Sequence, residues 1–200
     1  MHFLSSSVSK PMLSSRRDHQ GAETQQDAGE DTETQEMPEN LMSTPWVRCL
    51  ILACGNTLRG DDGIGPFLCS WAGERFAGEP GVQTIARQQW TPDLAQDIAN
   101  AESVLFIDCA VDLGPGQLLL RQIKAAPPAA VSTHHSGAAE LLRLAQDLYN
   151  ATPRRACLLT IGAGSVDLGE EFSAPMQAAI PNAKGLLELT LRQLLRRPTV

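Results

Sequence analysis

The 200-residue chain holds only five cysteines, Cys49, Cys54, Cys69, Cys109 and Cys157, and no two of them form a CxxC pair. An odd count without regular spacing is not a disulfide framework and points to a reducing compartment, so a cytoplasmic location is expected. Four of the five stand in apolar runs, where cysteine reads as a small core residue. No run of 18 apolar residues exists, and no membrane span is expected. No basic stripe appears, which argues against a nucleic-acid partner. The N-terminus lacks a secretory hydrophobic region. Its Ser-rich start with Arg16 and Arg17 resembles a transit peptide in composition, but an acidic run follows, which such peptides avoid. There is no GxSxG nucleophile elbow and no HExxH helix.

Charge is scarce in most of the chain as well. Residues 1–40 carry three basic and eight acidic groups, a net of -5, so the other 160 residues share only -2 of the total of -7. Residues 1–43 are rich in Ser, Gln, Glu, Asp and Thr and poor in apolar residues. Such a segment buries too little surface to offset its ordering entropy, and a disordered acidic tail is expected there. The whole chain is 42% hydrophobic, ample for a core, and residues 44–200 are expected to form one domain.

That domain is organised around residues 54–66, CGNTLRGDDGIGP. An apolar run over 47–53, broken only by Arg48, leads into it and reads as a central strand covered on both faces. A helical pattern over 65–77 leaves it, with Pro66 in the first turn, where a missing N–H costs nothing. The stretch is therefore a strand-to-helix loop, and its glycines permit close approach of a ligand to the backbone. Glycine-rich loops here often cradle phosphate. No lysine follows these glycines, however, and Asp61 and Asp62 would repel an anion. The loop asks for a cation or a basic group.

Further along, 82–87 reads as a second strand. Thr91 and Pro92 read as N-cap and first residue of a helix to about residue 100. A third strand over 103–107 ends at Asp108, and a fourth covers 117–123 after the turn at Gly114, Pro115 and Gly116. A loop spans 124–131, a helix begins near Ser136, and a fifth strand covers 156–161 before a glycine-rich turn. A last helix runs from about 173 to 195, with an irregular start at Pro175 and Pro181. Alternating strands and helices predict a three-layer α/β fold: a twisted, mostly parallel five-stranded sheet with helices on both faces. The link between the third and fourth strands is too short for a parallel crossover. The fourth strand is therefore expected to run antiparallel to the third, at an edge.

Three loops carry candidate ligands: Asp61 and Asp62 in the first, Asp108 at the third strand's end, and His134 and His135 before the helix at 136. Ligands bind at the carboxyl ends of strands in open α/β sheets. Two carboxylates and an imidazole suit zinc, nickel or a similar divalent metal. Each residue alone reads more simply as a turn or cap residue; the combination is what points to a site.

At these residues the chain resembles a known family. GNTLRGDDGIGP, residues 55–66, resembles the GN-x-L-x-GD-(D/E)-G-x-G signature of the NiFe-hydrogenase maturation proteases. Gln89 to Ala95 resembles a Q-L-T-P-E-L segment found in a subset, with Trp90 in place of Leu. Ile107-Asp108-Cys109-Ala110 is similar to the family's (I/V)-D-A strand end. Ser132 to Gly137, followed by Glu140-Leu141-Leu142, is similar to its S-x-H-x-x-G helix start, although an apolar residue is usual where Ser136 stands. Thr160-Ile161-Gly162 resembles its last strand. The resemblance covers about residues 47–195. It implies an endopeptidase of aspartic type that removes the C-terminal peptide of a hydrogenase large-subunit precursor after nickel insertion. It further implies that nickel arrives bound in that precursor, with no organic cofactor, and that Asp62, Asp108 and His134 are the catalytic and metal-contacting residues. His135 occupies a variable position. A monomer is the expectation, with the precursor as partner. Two other readings stand beside this one: a metal-binding escort module using the same ligands without cleavage, and a phosphate-binding α/β domain, which the double aspartate disfavours.

Overall fold

The computed structural model describes residues 47–127 and 137–196. The strands are β1 (Cys49–Cys54), β2 (Val82–Arg87), β3 (Ser103–Ala110), β4 (Leu118–Gln122) and β5 (Arg155–Gly162). The helices are α1 (Ile64–Arg75), α2 (Leu94–Ala99), α3 (Ala138–Tyr149) and α4 (Ala174–Leu195). One 3-10 turn, Gly60–Gly63, joins the loop after β1 to α1. The sheet order is β2-β1-β3-β5-β4, with β4 antiparallel to β5 and every other pairing parallel.

Alternation along the buried strands sends successive side chains to opposite faces, and each face has its own core. Ile51, Ala53, Leu105, Ile107, Leu159 and Ile161 pack with Leu68 and Ala72 of α1 and Leu187 and Leu191 of α4. Leu50, Leu52, Val104 and Phe106 pack with Leu94 and Ile98 of α2 and Leu141 and Ala145 of α3. Because both faces are covered, β1 and β3 read as unbroken apolar runs. Each fully buried leucine or isoleucine contributes about 1.5–3 kcal/mol.

The α/β class, the five strands and their covered faces are as the sequence leads one to expect. Four details differ. First, β4 is antiparallel and at an edge, but it lies beside β5, not β3. The turn before it crosses the end of β5 at Gly162, where a Cβ would come within 2.0 Å of the Gly114 carbonyl oxygen. Gly116 has φ +72 and donates its N–H to the Gly162 carbonyl at 2.8 Å. Second, β3 does not end at Asp108. Its pairing with β5 continues through Asp108↔Thr160 to Ala110↔Gly162. Third, α2 starts at Leu94; the Thr91 and Pro92 carbonyls accept from the Leu94 and Ala95 N–H groups, forming a tight lead-in turn with no side-chain cap. Fourth, α4 starts cleanly. Ser173 caps it by accepting from the Met176 N–H at 3.4 Å, and the helix passes through Pro181 without a break.

Among the described residues no helix is long and apolar enough to cross a membrane. The expected tail and the pair His134 and His135 lie outside the described residues.

Candidate active site

The loop from β1 to α1 is folded back on itself. Gly55 has φ +146, and a Cβ there would sit 1.9 Å from the Asp62 carbonyl oxygen. At Gly65 a Cβ would sit 2.2 Å from the Cys54 carbonyl oxygen. Both positions need glycine because main chain meets main chain there. The Asn56 side chain accepts from the Leu58 N–H at 3.0 Å, and the Asn56 N–H donates to Asp62 Oδ2 at 2.8 Å. The carboxylate of Asp62 is thus held from behind while remaining partly exposed.

Asp61 goes the other way. It is fully buried. Its Oδ2 accepts from the Gly164 N–H at 2.7 Å, the Ser165 N–H at 3.1 Å and the Ser173 hydroxyl at 2.6 Å, and its Oδ1 accepts from the Ser173 N–H at 2.8 Å. Burial pushes its pKa up, but the Ser173 hydroxyl and the three amides outweigh burial and hold it below the usual carboxylate range. Buried and engaged by four donors, it is not accessible to a ligand from solvent. The two adjacent acids, equivalent in the sequence, are separated by the fold into an inner and an outer one.

Asp108 lies on the α2/α3 face of β3, near its carboxyl end. Burial raises its pKa to about 6; the Cys109 N–H, donating to Oδ1 at 2.9 Å, opposes the rise, and the charge of Asp62 adds to it. The charge of Asp62 is thus felt at Asp108. Cys54 and Cys109 report the same field. Burial first, and then the Asp108 and Asp62 charges, push each thiol up to about 12. A thiol that stays protonated at neutral pH is not a nucleophile. The Asp62 and Asp108 carboxylates both contribute negative charge around Cys54 and Cys109. Among the described residues no three His, Cys, Asp or Glu side chains form a metal-holding group; His134, the third ligand that the family resemblance implies, lies outside them.

Sequence reasoning missed the loop 163–173 as a partner of the site. It forms one wall of a cleft of about 430 Å³, lined by Thr57, Gly60, Gly63, Phe67, Glu170 and Phe172, alongside the turn that carries Asp62. The signal available was Ser173-Ala174-Pro175, a helix start that placed a serine but not its second bond. Two further groups had no signal. Thr160 Oγ1, paired in register with Asp108, and Trp90 Nε1 are buried and have no hydrogen-bond partner among the described residues.

No protein-family profile matches the chain, and no curated protein matches it at a significant level. Solved structures do. The hydrogenase maturating endopeptidase HybD from E. coli is similar at a TM-score of 0.60 and 20% identity, covering 74% of this chain and 93% of that one. The hydrogenase maturation protease HybD from Thermococcus kodakarensis is similar at a TM-score of 0.53 and 26% identity, covering 72% of this chain and 99% of that one. The maturation protease HycI from Thermococcus kodakarensis KOD1 follows at 0.56 and 22%, covering 79% and 97%. The fold is the one these proteins share, which bears out the resemblance carried by the loop motif.

Proposed function

We propose that this chain, which has the fold of the hydrogenase maturation proteases, is an endopeptidase that removes the C-terminal peptide of a NiFe-hydrogenase large-subunit precursor once nickel is in place. The observation that supports this most is the pairing of Asp62 and Asp108. Asp62 comes from the loop after β1 and Asp108 from near the carboxyl end of β3, and the charge of Asp62 is felt at Asp108, on that fold. Nickel belongs to the substrate in this reading. Asp62, Asp108 and His134 complete its coordination shell, which docks the scissile bond and reports that loading has occurred. Oxygen and imidazole donors suit a borderline divalent ion. A metal so placed polarises a carbonyl or lowers the pKa of a bound water. The aspartic character of the enzyme lies in the two carboxylates. They must be ionised to bind the cation, and Asp108, with its pKa near 6, is poised at the edge of that condition. The high thiol pKa values of Cys54 and Cys109 support a carboxylate mechanism over a cysteine nucleophile.

Incubating nickel-loaded precursor with the protein and weighing the large subunit tests the reading. Loss of a C-terminal peptide is expected with the wild type and not with Asp62→Ala. A stable complex of unchanged subunit mass would instead identify a non-proteolytic escort.

A further inference from the structure

The carboxylate of Asp61 is buried, accepts four hydrogen bonds and, among the described residues, makes no ion pair. A charge taken out of water without a counter-ion is expensive unless amide and hydroxyl donors replace the water. All four donors come from the loop 163–173, more than a hundred residues away in sequence. Main-chain bonds flank the junction. The Asp61 N–H donates to the Ser165 carbonyl at 3.0 Å, the Gly60 N–H to the Gly169 carbonyl at 2.6 Å, and the Gly169 N–H to the Leu58 carbonyl at 3.0 Å. Gly164 is shaped to the carboxylate, since a Cβ there would lie 3.3 Å from Asp61 Oδ2 and 2.6 Å from Ser173 Oγ. Ser173 serves both partners, donating to Asp61 and accepting from the first turn of α4.

We propose that Asp61 is a positioning residue: its carboxylate locks the Gly60–Gly63 turn onto the loop 163–173 and so holds Asp62 facing the site. Successive side chains on a 3-10 turn point about 120° apart. With Asp61 drawn inward onto its four donors, Asp62 is turned away from that loop. The Asn56 N–H then meets Asp62 Oδ2 and fixes its orientation. A carboxylate is required in place of an amide because both oxygens accept. Asparagine has only one accepting atom, so either orientation leaves at least one buried donor unpaired. The placement of Asp62 rests on the geometry alone; its consequence for cleavage rests on the protease reading above.

The two parts are separable by experiment. Amide hydrogen exchange is followed by NMR in the full chain carrying Asp61→Asn, and in parallel in Ser173→Ala, which removes a single donor in case the first variant fails to fold. Protection is expected to fall at Gly164 and Ser165, the amides bonded to Asp61. It should also fall by about tenfold or more at Asn56, the amide bonded to Asp62, while Leu52 and Ile107 in the central strands keep theirs. An Asn56 amide as protected as in the wild type, with Gly164 and Ser165 exposed, would overturn the proposal and leave Asp61 a brace for the loop alone. In the cleavage assay on nickel-loaded precursor, Asp61→Asn should lower kcat by about ten- to a hundredfold, with KM changed by no more than about twofold. Ser173→Thr, which keeps the hydroxyl, should stay near the wild type. Wild-type kcat in Asp61→Asn would contradict the positioning role, whereas a wild type that does not cleave would contradict the protease reading without touching the exchange result.

Discussion

A carboxyl group is most easily ionised in water, and Asp108 is held where that ease is reduced. Burial lifts its pKa from 3.8 to about 6, so at neutral pH the ionised form is a strained one. The folded pKa lies above the unfolded value. This group therefore favours folding most below pH 4 and loses that favour as pH rises through about 6. Asp108→Asn, which mimics the protonated form, should stabilise the protein at pH 7 by about 1–2 kcal/mol after allowance for the solvent still around a half-buried group. Urea unfolding at pH 7 and pH 4 checks this, and the advantage should vanish at the lower pH. The same variant should not cleave precursor. Stability gained where function is lost marks a site, not a scaffold position. Cleavage should also fall as pH drops below about 6.5, because a coordinating imidazole must be neutral and its reference pKa lies there; Asp108, taking up a proton near pH 6, reinforces the fall. Of the adjacent histidines, His134→Ala should abolish cleavage and leave the circular dichroism spectrum unchanged, while His135→Ala should keep most activity. The reverse pattern would redraw the third ligand around His135. The choice of Asp62 over Asp61 could be made in the sequence only through the family motif. The physical difference between them is four donors on a distant loop, which no local pattern displays.

At the scale of elements, the strand-to-helix loop succeeds because two glycines let it fold onto itself. Gly65→Ala places a methyl group 2.2 Å from the Cys54 carbonyl. That contact must push α1 off β1, at a cost of about 1–3 kcal/mol or more. Thermal unfolding should show the loss, and cleavage should fall further than stability does because Asp62 shares the loop. Proline within a helix removes one hydrogen bond and crowds the preceding turn. Pro181 is exposed on the outer face of α4, so Pro181→Ala should raise stability by about 1–3 kcal/mol with activity unchanged. That proline suggested an irregular helix start in the sequence. The Ser173 cap and the buried contacts of Met176, Ala179 and Ala183 override it. The position of β4 was legible in direction and not in neighbour. Link length forbids a parallel crossover, but only the eight-residue pairing of β3 with β5 decides that β5 takes the place beside β3.

At the scale of the whole molecule, the layers follow from patterning. Unbroken apolar strands demand cover on both faces, and α1 with α4 on one side and α2 with α3 on the other supply it. This much was readable because burial writes itself into local periodicity. Of the candidate site, the sequence displays Asp62 after β1 and Asp108 toward the end of β3, because each stands next to an apolar strand pattern. The loop 163–173 was not readable as part of it, because its role depends on long-range hydrogen bonds. The acidic segment 1–43 has no apolar pattern to join either core, so a chain starting at Thr44 should fold and process precursor as the full chain does. The central claim is that Asp62 and Asp108 read a nickel ion carried by the substrate. Its most direct test is to present the protein with nickel-loaded and nickel-free forms of one precursor, side by side, and to determine the mass of each large subunit over time. The account predicts loss of a C-terminal peptide from the loaded form alone. Equal trimming of both forms, or none of either, would contradict it.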